Sequence, residues 1–215
     1  MSILTRAEIE TAMRREEPGN RLIITPLLAP KKQITEASVD VRLGNEFILI
    51  RKRTFASLDI AARESVRSKI GVYQEKVRIE FHEQFVLHPH QLVLGSTLEY
   101  FKLPDDIGAY LMGRSSWGRL GLVIETAASV APQFRGCVTL ELVNVGEVPL
   151  ILYPGVRIAQ VVFHTTKGSS TYAGRYVCPT GPQFSRVHED DDLGFWCPGA
   201  TEQTRIIDDA EPAGP

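Results

Sequence analysis

Apolar residues are spread along this chain in two patterns, one near its start and one over the remainder. Near the start, Ile9 and Met13 recur at helical spacing behind Thr5, a candidate N-cap whose capping-box partner is Glu8. Beyond residue 20 the apolar residues form short runs bounded by turn formers. The first pattern predicts a short amphipathic helix and the second predicts strands.

The predicted strands recur at short intervals and are rich in β-branched residues. They are LIITPLL, SVDVRL, EFILI, KVRIEF, QFVLHP, QLVLGSTLEYF, GAYLMG, CVTLELVN, LILYPG and RIAQVVFHTT. A polar, charge-mixed segment between Phe55 and Gly71 is compatible with a loop or with a short irregular helix. Many short strands and few helices indicate a mainly β fold of the sandwich or barrel type.

Length and composition favour one domain with additions. The 215 residues are 43% hydrophobic, enough for one substantial core. We expect a β domain over residues 1–166, a Gly-, Ser-, Thr- and Pro-rich segment over 167–190 and a flexible tail over 191–215. The net charge of −2 lacks the basic excess that binding a nucleic-acid polymer needs. No signal peptide or membrane span is predicted, so we expect a cytoplasmic protein.

No metal site is predicted from the sequence. Cys137, Cys178 and Cys197 form no CxxC pair and are expected to be reduced thiols. The HPH motif at 88–90 lacks a third ligand at a recognisable spacing and is more typical of a strand that ends at a proline turn. The acidic patch at 189–192 is interpreted as solvated surface.

The densest group of polar donors is GRSSWGRLGL, residues 113–122, which lies between two apolar runs. Its glycines allow close backbone approach, and its arginines and serines supply the donors that a triphosphate needs. On composition alone the pattern also fits an ordinary solvated turn. Trp117, inside it, either stacks on a ligand or packs against a neighbouring subunit.

A second candidate is Glu141, within the apolar run CVTLELVN. Thr139, Glu141 and Val143 share one face of the predicted strand. A carboxylate in such a strand is costly unless it is paired. Glu141 is therefore either a general acid and base or one half of a salt bridge across a subunit interface.

Four segments in order resemble the successive motifs of dCTP deaminases, members of the dCTP deaminase and dUTPase superfamily. They are ASVDVRLGN at 37–45, GRSSWGRLGL at 113–122, FRGCVTLELVN at 134–144 and LYPGVRIAQVVF at 152–163. YVCPTGPQFSR at 176–186 resembles the C-terminal lid of that family. The resemblance implies a distorted β-barrel, or jelly-roll-like, dUTPase-type subunit in a homotrimer, with active sites where subunits meet.

The resemblance also implies a substrate and a set of roles. The substrate would be a pyrimidine deoxynucleoside triphosphate, with Mg²⁺ bound through its phosphates and without zinc, since the H-x-E and P-C-x-x-C motifs of zinc deaminases are absent. Glu141 would shuttle protons, helped by Ser115 and Arg119. The implied substrate contacts are Arg114, Ser115, Ser116, Trp117, Gly118, Arg119, Ala127, Ala131, Thr139, Leu140, Glu141, Tyr172, Arg175 and Tyr176.

Two departures from the family pattern separate the candidate functions. Ala131 stands where an I-D-P-G type sequence would supply an aspartate to the deoxyribose 3′-hydroxyl, and Pro179 stands where a glutamine is expected. The leading hypothesis is deamination of dCTP to dUTP. The alternatives are a bifunctional deaminase and diphosphatase, which Ala131 opposes, and a diverged nucleotide-binding regulator.

Overall fold

The computed structural model describes residues 2–51, 57–125, 129–167, 174, 176 and 178–190. The chain divides into two compact units. Unit 1 comprises Met1–Ile50 and Glu75–Gln183, and unit 2 comprises Arg51–Gln74 and Phe184–Pro215. The predicted flexible tail over 191–215 lies outside the described residues, and the predicted domain boundary at residue 166 stays a prediction.

Unit 1 contains nearly all of the β-structure. In the described part of the chain the strands are β1 (Ile23–Thr25), β2 (Val39–Arg42), β3 (Glu46–Ile50), β4 (Gln74–Arg78), β5 (Phe85–Leu87), β6 (Leu92–Lys102), β7 (Ile107–Gly113), β8 (Leu122–Glu125), β9 (Arg135–Asn144), β10 (Leu150–Leu152) and β11 (Arg157–Thr165). One sheet has the order β4-β3-β6-β9-β8, and β1 also pairs with β6. A second has the order β2-β11-β7, and β10 pairs with β5. The mainly β architecture predicted from the sequence is confirmed.

The described helices are short. They are α1 (Arg6–Met13), α2 (Pro30–Gln33), α3 (Arg63–Tyr73) and α4 (Ser115–Gly118), with single 3₁₀ turns at Pro18–Asn20 and Val187–Glu189. Helix α1 begins as predicted, because the Glu8 carboxylate accepts the Thr5 backbone N–H at 2.8 Å and closes the capping box. Among the described residues, none of these helices is long and apolar enough to cross a bilayer.

Helix α3 occupies part of the segment between Phe55 and Gly71, whose form the sequence left open. The sequence left open a loop or a short irregular helix, and the structure has a regular helix of 11 residues that begins inside the segment. Val66 and Ile70, one helical turn apart, are both buried. Two apolar residues at this spacing give the helix one buried stripe within unit 2, although its other positions are mostly polar.

The core of unit 1 is built from the inward faces of its strands. Phe47 and Phe85 stack with ring centroids 4.3 Å apart, and Phe101 lies 6.4 Å from Phe163 across the core. Strand β9 shows how the alternation works at the site, because Leu140 and Leu142 are fully buried while Glu141 between them is exposed. Strand β2 departs from alternation, since Val39, Asp40 and Val41 are all buried.

Candidate functional site

The predicted phosphate-binding segment is a tight turn between β7 and β8. Residues 114–121, called here the arginine–serine loop, contain the single turn of α4, and the Arg119 N–H donates to the Ser115 carbonyl at 3.0 Å. The loop closes at Gly121, whose φ of 92° favours glycine. A Cβ at Gly121 would also lie 2.8 Å from the backbone nitrogen of Gly146. The side chains of Ser115, Ser116 and Arg119 are exposed on this loop.

Three hydrogen bonds anchor this loop to β11. The Trp117 indole Nε1 donates to the Arg157 carbonyl at 2.9 Å, and Arg114 Nη1 donates to the same oxygen at 3.1 Å. The Arg114 backbone N–H donates to the Ile158 carbonyl at 3.3 Å. Trp117 thus packs against the core of its own chain, a third placement beside the ligand and subunit contacts that the sequence left open, and its predicted ligand contact stays a prediction.

A buried carboxylate lies under the loop. Asp40 Oδ2 lies 3.0 Å from Arg157 Nη1 and 3.4 Å from Arg114 Nε, and its side chain is 6% exposed. We call Asp40, Arg114 and Arg157 the charged cluster. Two guanidinium groups and one carboxylate make it net positive directly beneath three exposed polar side chains. Asp40 and Arg157 were missed as site residues, although a carboxylate inside the apolar run SVDVRL was a signal that could have found Asp40.

Glu141 lies on β9 with its side chain exposed. Its backbone neighbours are Leu94 on β6 and Glu125 on β8. The desolvation cost that the sequence suggested is therefore not incurred within one chain. Thr139, two residues earlier, is half-buried on the same face, whereas the Leu140 side chain faces the core and leaves only its backbone for a ligand.

One chain does not bring the loop and Glu141 together along β8. Leu122, which follows the loop, pairs with Asn144, whereas Glu125 at the other end of β8 pairs with Glu141. Three residues of extended strand span about 10 Å. The end of the arginine–serine loop and the candidate general base, Glu141, therefore lie beside opposite ends of β8.

The sequence departure at Ala131 lies in a turn that enters β9. Ala131 is half-buried, and its carbonyl accepts the Phe134 N–H at 3.2 Å. Gln133, two residues later, has a φ of 64°, in the left-handed region that favours glycine. This is the position where the I-D-P-G pattern has its glycine, so the backbone geometry supports the alignment that places Ala131 at the aspartate.

The second departure, Pro179, lies beside β9. The Cys137 N–H donates to the Pro179 carbonyl at 2.7 Å, beyond the point where β8 stops pairing. The proline ring covers Gly136, at which any Cβ would meet Pro179 Cδ at 2.4 Å. Farther along, the Gln183 N–H lies 3.4 Å from Thr139 Oγ1. The C-terminal segment thus reaches Thr139, one of the predicted substrate contacts, within one chain.

Three predicted contacts lie outside the described residues: Ala127, Tyr172 and Arg175. Tyr176 is described and half-buried, and its predicted contact with substrate stays a prediction. The HPH motif follows the end of β5 at Leu87, and His90 has a φ of 60° in the turn, as expected for a strand that ends at proline. Within the described ranges no three His, Cys, Asp or Glu side chains are grouped to hold a metal.

Two buried groups near the sheet have raised pKa values. Burial raises the pKa of Glu99 above the usual value for glutamate, although Gln33 Nε2 and the Arg42 N–H each donate to its carboxylate at 2.8 Å. Burial raises the pKa of the Cys137 thiol to about 11, with Glu99 adding to the effect. Cys137 is therefore a protonated, buried thiol at neutral pH, in agreement with the prediction of reduced cysteines.

Fold and site together define a mainly β protein that presents a cationic, serine-bearing loop and a separate exposed glutamate. The model of the dCTP deaminase-like family matches residues 3–166, and the chain belongs to that family.

Curated relatives match over most of both chains. A "dCTP deaminase, dUMP-forming" from Methanosphaera stadtmanae is 38% identical over 204 residues, which cover 90% of this chain and 98% of the relative. A dCTP deaminase from Natronomonas pharaonis is 37% identical, with 89% and 98% covered. Both alignments are longer than the stretch that the family model matches.

A solved structure confirms the expected fold class. The 2′-deoxycytidine 5′-triphosphate deaminase from Agrobacterium tumefaciens superimposes with a TM-score of 0.56 at 23% identity. The match covers 75% of this chain and 46% of that chain, so this chain spans less than half of that protein. At this identity the likeness concerns the fold.

Proposed function

We propose that this protein deaminates dCTP hydrolytically, giving dUTP and ammonia. The observation that carries the proposal is the 37% identity to a dCTP deaminase from Natronomonas pharaonis over 89% of this chain and 98% of the relative. The described geometry supports it, because Ser115, Ser116 and Arg119 are exposed on one loop above a net positive cluster. A triphosphate needs this combination of hydroxyl donors and guanidinium charge.

In the proposed reaction Glu141 carries the proton transfers. Its carboxylate accepts a proton from water as the water oxygen attacks C4 of cytosine. The proton goes to N3 of the ring, and Glu141 then moves the proton of the new C4 hydroxyl to the amino group, which leaves as ammonia while the C4 carbonyl forms. Ser115 and Arg119 position the water and the carboxylate. Exposure of Glu141 in the isolated chain leaves it free to meet a substrate.

The proposed active site is assembled between subunits of a homotrimer. Support for this assembly comes from β8, along which Leu122, at the end of the loop, lies about 10 Å from Glu125, the residue that pairs with Glu141. Exposed apolar side chains, Leu120, Val145 and Val148, lie on and beside the loop, and the Val145 N–H donates to the Gly121 carbonyl at 2.8 Å. A neighbouring subunit would cover them while contributing its own Glu141.

Magnesium enters the proposed reaction with the substrate. Mg²⁺ bound to the triphosphate would neutralise part of its charge, and the protein would contact the remaining phosphate oxygens through the arginine–serine loop. No step of the proposed proton shuttle uses zinc. In zinc deaminases the metal activates the attacking water, whereas here the Glu141 carboxylate would activate it as a general base without a metal.

A second candidate is formation of dUMP from the same substrate. The relatives from Methanosphaera stadtmanae and Methanothermobacter thermautotrophicus, 38% and 37% identical, are named dUMP-forming. Ala131 favours dUTP as the final product, because a methyl group provides no carboxylate to bind the 3′-hydroxyl or orient a hydrolytic water. The product pattern therefore separates the two candidates.

The test is incubation of the purified protein with dCTP and Mg²⁺, with ammonia measured and nucleotides separated by chromatography. Equal amounts of dUTP and ammonia support the leading proposal. Formation of dUMP and pyrophosphate supports the second candidate. Absence of turnover, with thermal stabilisation by dCTP, would contradict both and favour the regulatory nucleotide binder.

Assembly across subunits is tested by mixing two inactive variants. Glu141→Gln and Arg119→Ala each remove one half of the proposed site. If the halves come from different chains, mixed and reassembled trimers contain some intact sites and regain activity. Mixtures that stay inactive, although mass spectrometry shows mixed trimers, would place both residues in the same chain's site.

A further inference from the structure

We infer that Asp40 is a positioning residue for phosphate binding: it holds the arginine–serine loop in its binding conformation without touching the ligand. This inference rests on the proposed function, since it names a further residue on which triphosphate recognition depends. Its basis is the charged cluster, which connects three separate segments of unit 1. Asp40 comes from β2, Arg157 from β11 and Arg114 from the arginine–serine loop, directly after β7.

Asp40 contacts the loop by two routes. Directly, its Oδ2 lies 3.4 Å from Arg114 Nε, and Arg114 is the residue from which α4 begins. Indirectly, the same oxygen lies 3.0 Å from Arg157 Nη1. The backbone carbonyl of Arg157 accepts from both Trp117 Nε1 and Arg114 Nη1. The Asp40 carboxylate therefore fixes Arg157, whose backbone carbonyl accepts two hydrogen bonds from the loop.

The burial of the three side chains separates positioning from binding. The Asp40 side chain is 6% exposed, whereas Arg114 is 29% and Arg157 33% exposed. A phosphate at the surface can meet the guanidinium groups, but the carboxylate lies behind them. A second bond from Arg157 Nη1, to the Lys32 carbonyl at 3.0 Å, further restrains that side chain.

Charge explains why an aspartate suits this position. Without it, Arg114 and Arg157 would face each other as two partly buried cations and would repel. The repulsion would move the Arg114 guanidinium and the backbone next to Ser115. With Asp40 present, the cluster keeps a net positive charge for phosphate while its two arginines stay in fixed positions.

The inference predicts a selective loss. Asp40→Asn keeps the shape of the side chain but removes the charge, so it should weaken binding of Mg²⁺–dCTP and leave binding of deoxycytidine, which has no phosphates, unchanged. We expect the dCTP affinity to fall about tenfold, or about 1.4 kcal/mol, the scale of one charge-assisted hydrogen bond. A loss of overall stability alone would lower binding of both ligands equally.

Calorimetric titration tests this in a Glu141→Gln background, in which the nucleotide is not consumed. Arg157→Gln should reproduce the effect, and it provides a test if Asp40→Asn does not fold, since Arg157 is the more exposed partner. Combining the two changes should cost less than the sum of the single losses, because both act on one network. Asp106→Asn, which breaks the Arg15–Asp106 ion pair elsewhere in unit 1, is the matched control and should leave the preference for dCTP unchanged.

The outcomes separate this inference from the proposed function. A clear preference for dCTP over deoxycytidine that persists in both Asp40→Asn and Arg157→Gln would overturn the positioning role alone. If the Glu141→Gln protein, which is the reference, binds dCTP no better than deoxycytidine, both the positioning role and the phosphate-binding part of the proposed function are overturned. Selective loss in the two variants, with the control unchanged, supports both.

Discussion

Asp40 and Glu141 occupy similar positions in the sequence and opposite surroundings in the structure. Each is a carboxylate inside an apolar strand run, SVDVRL for Asp40 and CVTLELVN for Glu141. Asp40 is buried between two guanidinium groups, whereas Glu141 is exposed. A carboxylate in an apolar strand can thus be an internal anchor or an available reactive group, and the strand's neighbours decide which.

The difference has a local cause. All of residues 39–41 on β2 are buried, and the Asp40 carbonyl also accepts a hydrogen bond from Gln33 Nε2 at 3.1 Å. On β9 Leu140 and Leu142 are buried, whereas Glu141 between them is exposed. Asp40 therefore finds its partners within its own chain, whereas Glu141 is exposed and available to a ligand or another subunit.

The largest expected effect concerns Glu141. Glu141→Gln should lower the turnover rate for dCTP by about a thousandfold, within the range for a lost general acid and base. Nucleotide binding and the free energy of unfolding should change little, since the side chain is exposed in the chain. Ammonia release measures the effect, and Glu83→Gln, at an exposed glutamate in the turn before β5, is the matched control. Substantial residual turnover would remove Glu141 from its assigned role.

For the free energy of unfolding we expect the opposite order, with a large effect at Asp40 and a small effect at Glu141. Asp40→Ala leaves two partly buried guanidinium groups without their anion and should lower the free energy of unfolding by about 3 kcal/mol. Glu141→Ala should change it by less than about 0.5 kcal/mol. Urea denaturation of both variants tests the comparison directly. Equal losses would mean that burial in one chain does not distinguish the two carboxylates.

Glu99 extends the comparison to a buried carboxylate with mainly neutral partners. Because its pKa is raised in the folded protein, the folded state binds the proton more tightly than the unfolded state does. The resulting stabilisation is complete below the unfolded pKa, about 4.3, and is lost as the pH rises through the folded pKa. The stability of the wild type relative to Glu99→Gln should therefore fall as the pH rises above the unfolded pKa and through the raised folded pKa, as measured by urea denaturation. A difference that grows with pH would contradict burial as the dominant cause.

The smallest effect is expected at Asp106, whose ion pair is shorter but more exposed than that of Asp40. Asp106 Oδ1 lies 2.7 Å from Arg15 Nη1, and its side chain is 45% exposed. Asp106→Asn should cost about 0.5 kcal/mol, because solvent screens the pair. The Arg15 guanidinium lowers the pKa of Asp106, so this contribution is present at neutral pH and is lost as the pH falls through the lowered pKa. A loss as large as that at Asp40 would show that distance outweighs burial.

The local elements were largely predictable because they depend on short-range patterns. Each of the ten apolar runs contributes a strand, and Thr5 and Glu8 start the first helix. Helix α3 was left open because only Val66 and Ile70 mark its buried stripe among polar residues. The resemblance also supplied the family, which the family model confirms.

The sequence by itself determined a mainly β chain, the position of a cationic loop and the presence of a glutamate on an alternating strand. Only the tertiary structure decided that Asp40 and Arg157 lie under this loop, since β2, β7 and β11 are far apart along the chain and meet only in one sheet. It also decided that Trp117 is anchored to its own chain and that Pro179 covers Gly136. Periodicity records which face of a strand is buried, whereas the partner that a buried charge meets depends on long-range packing.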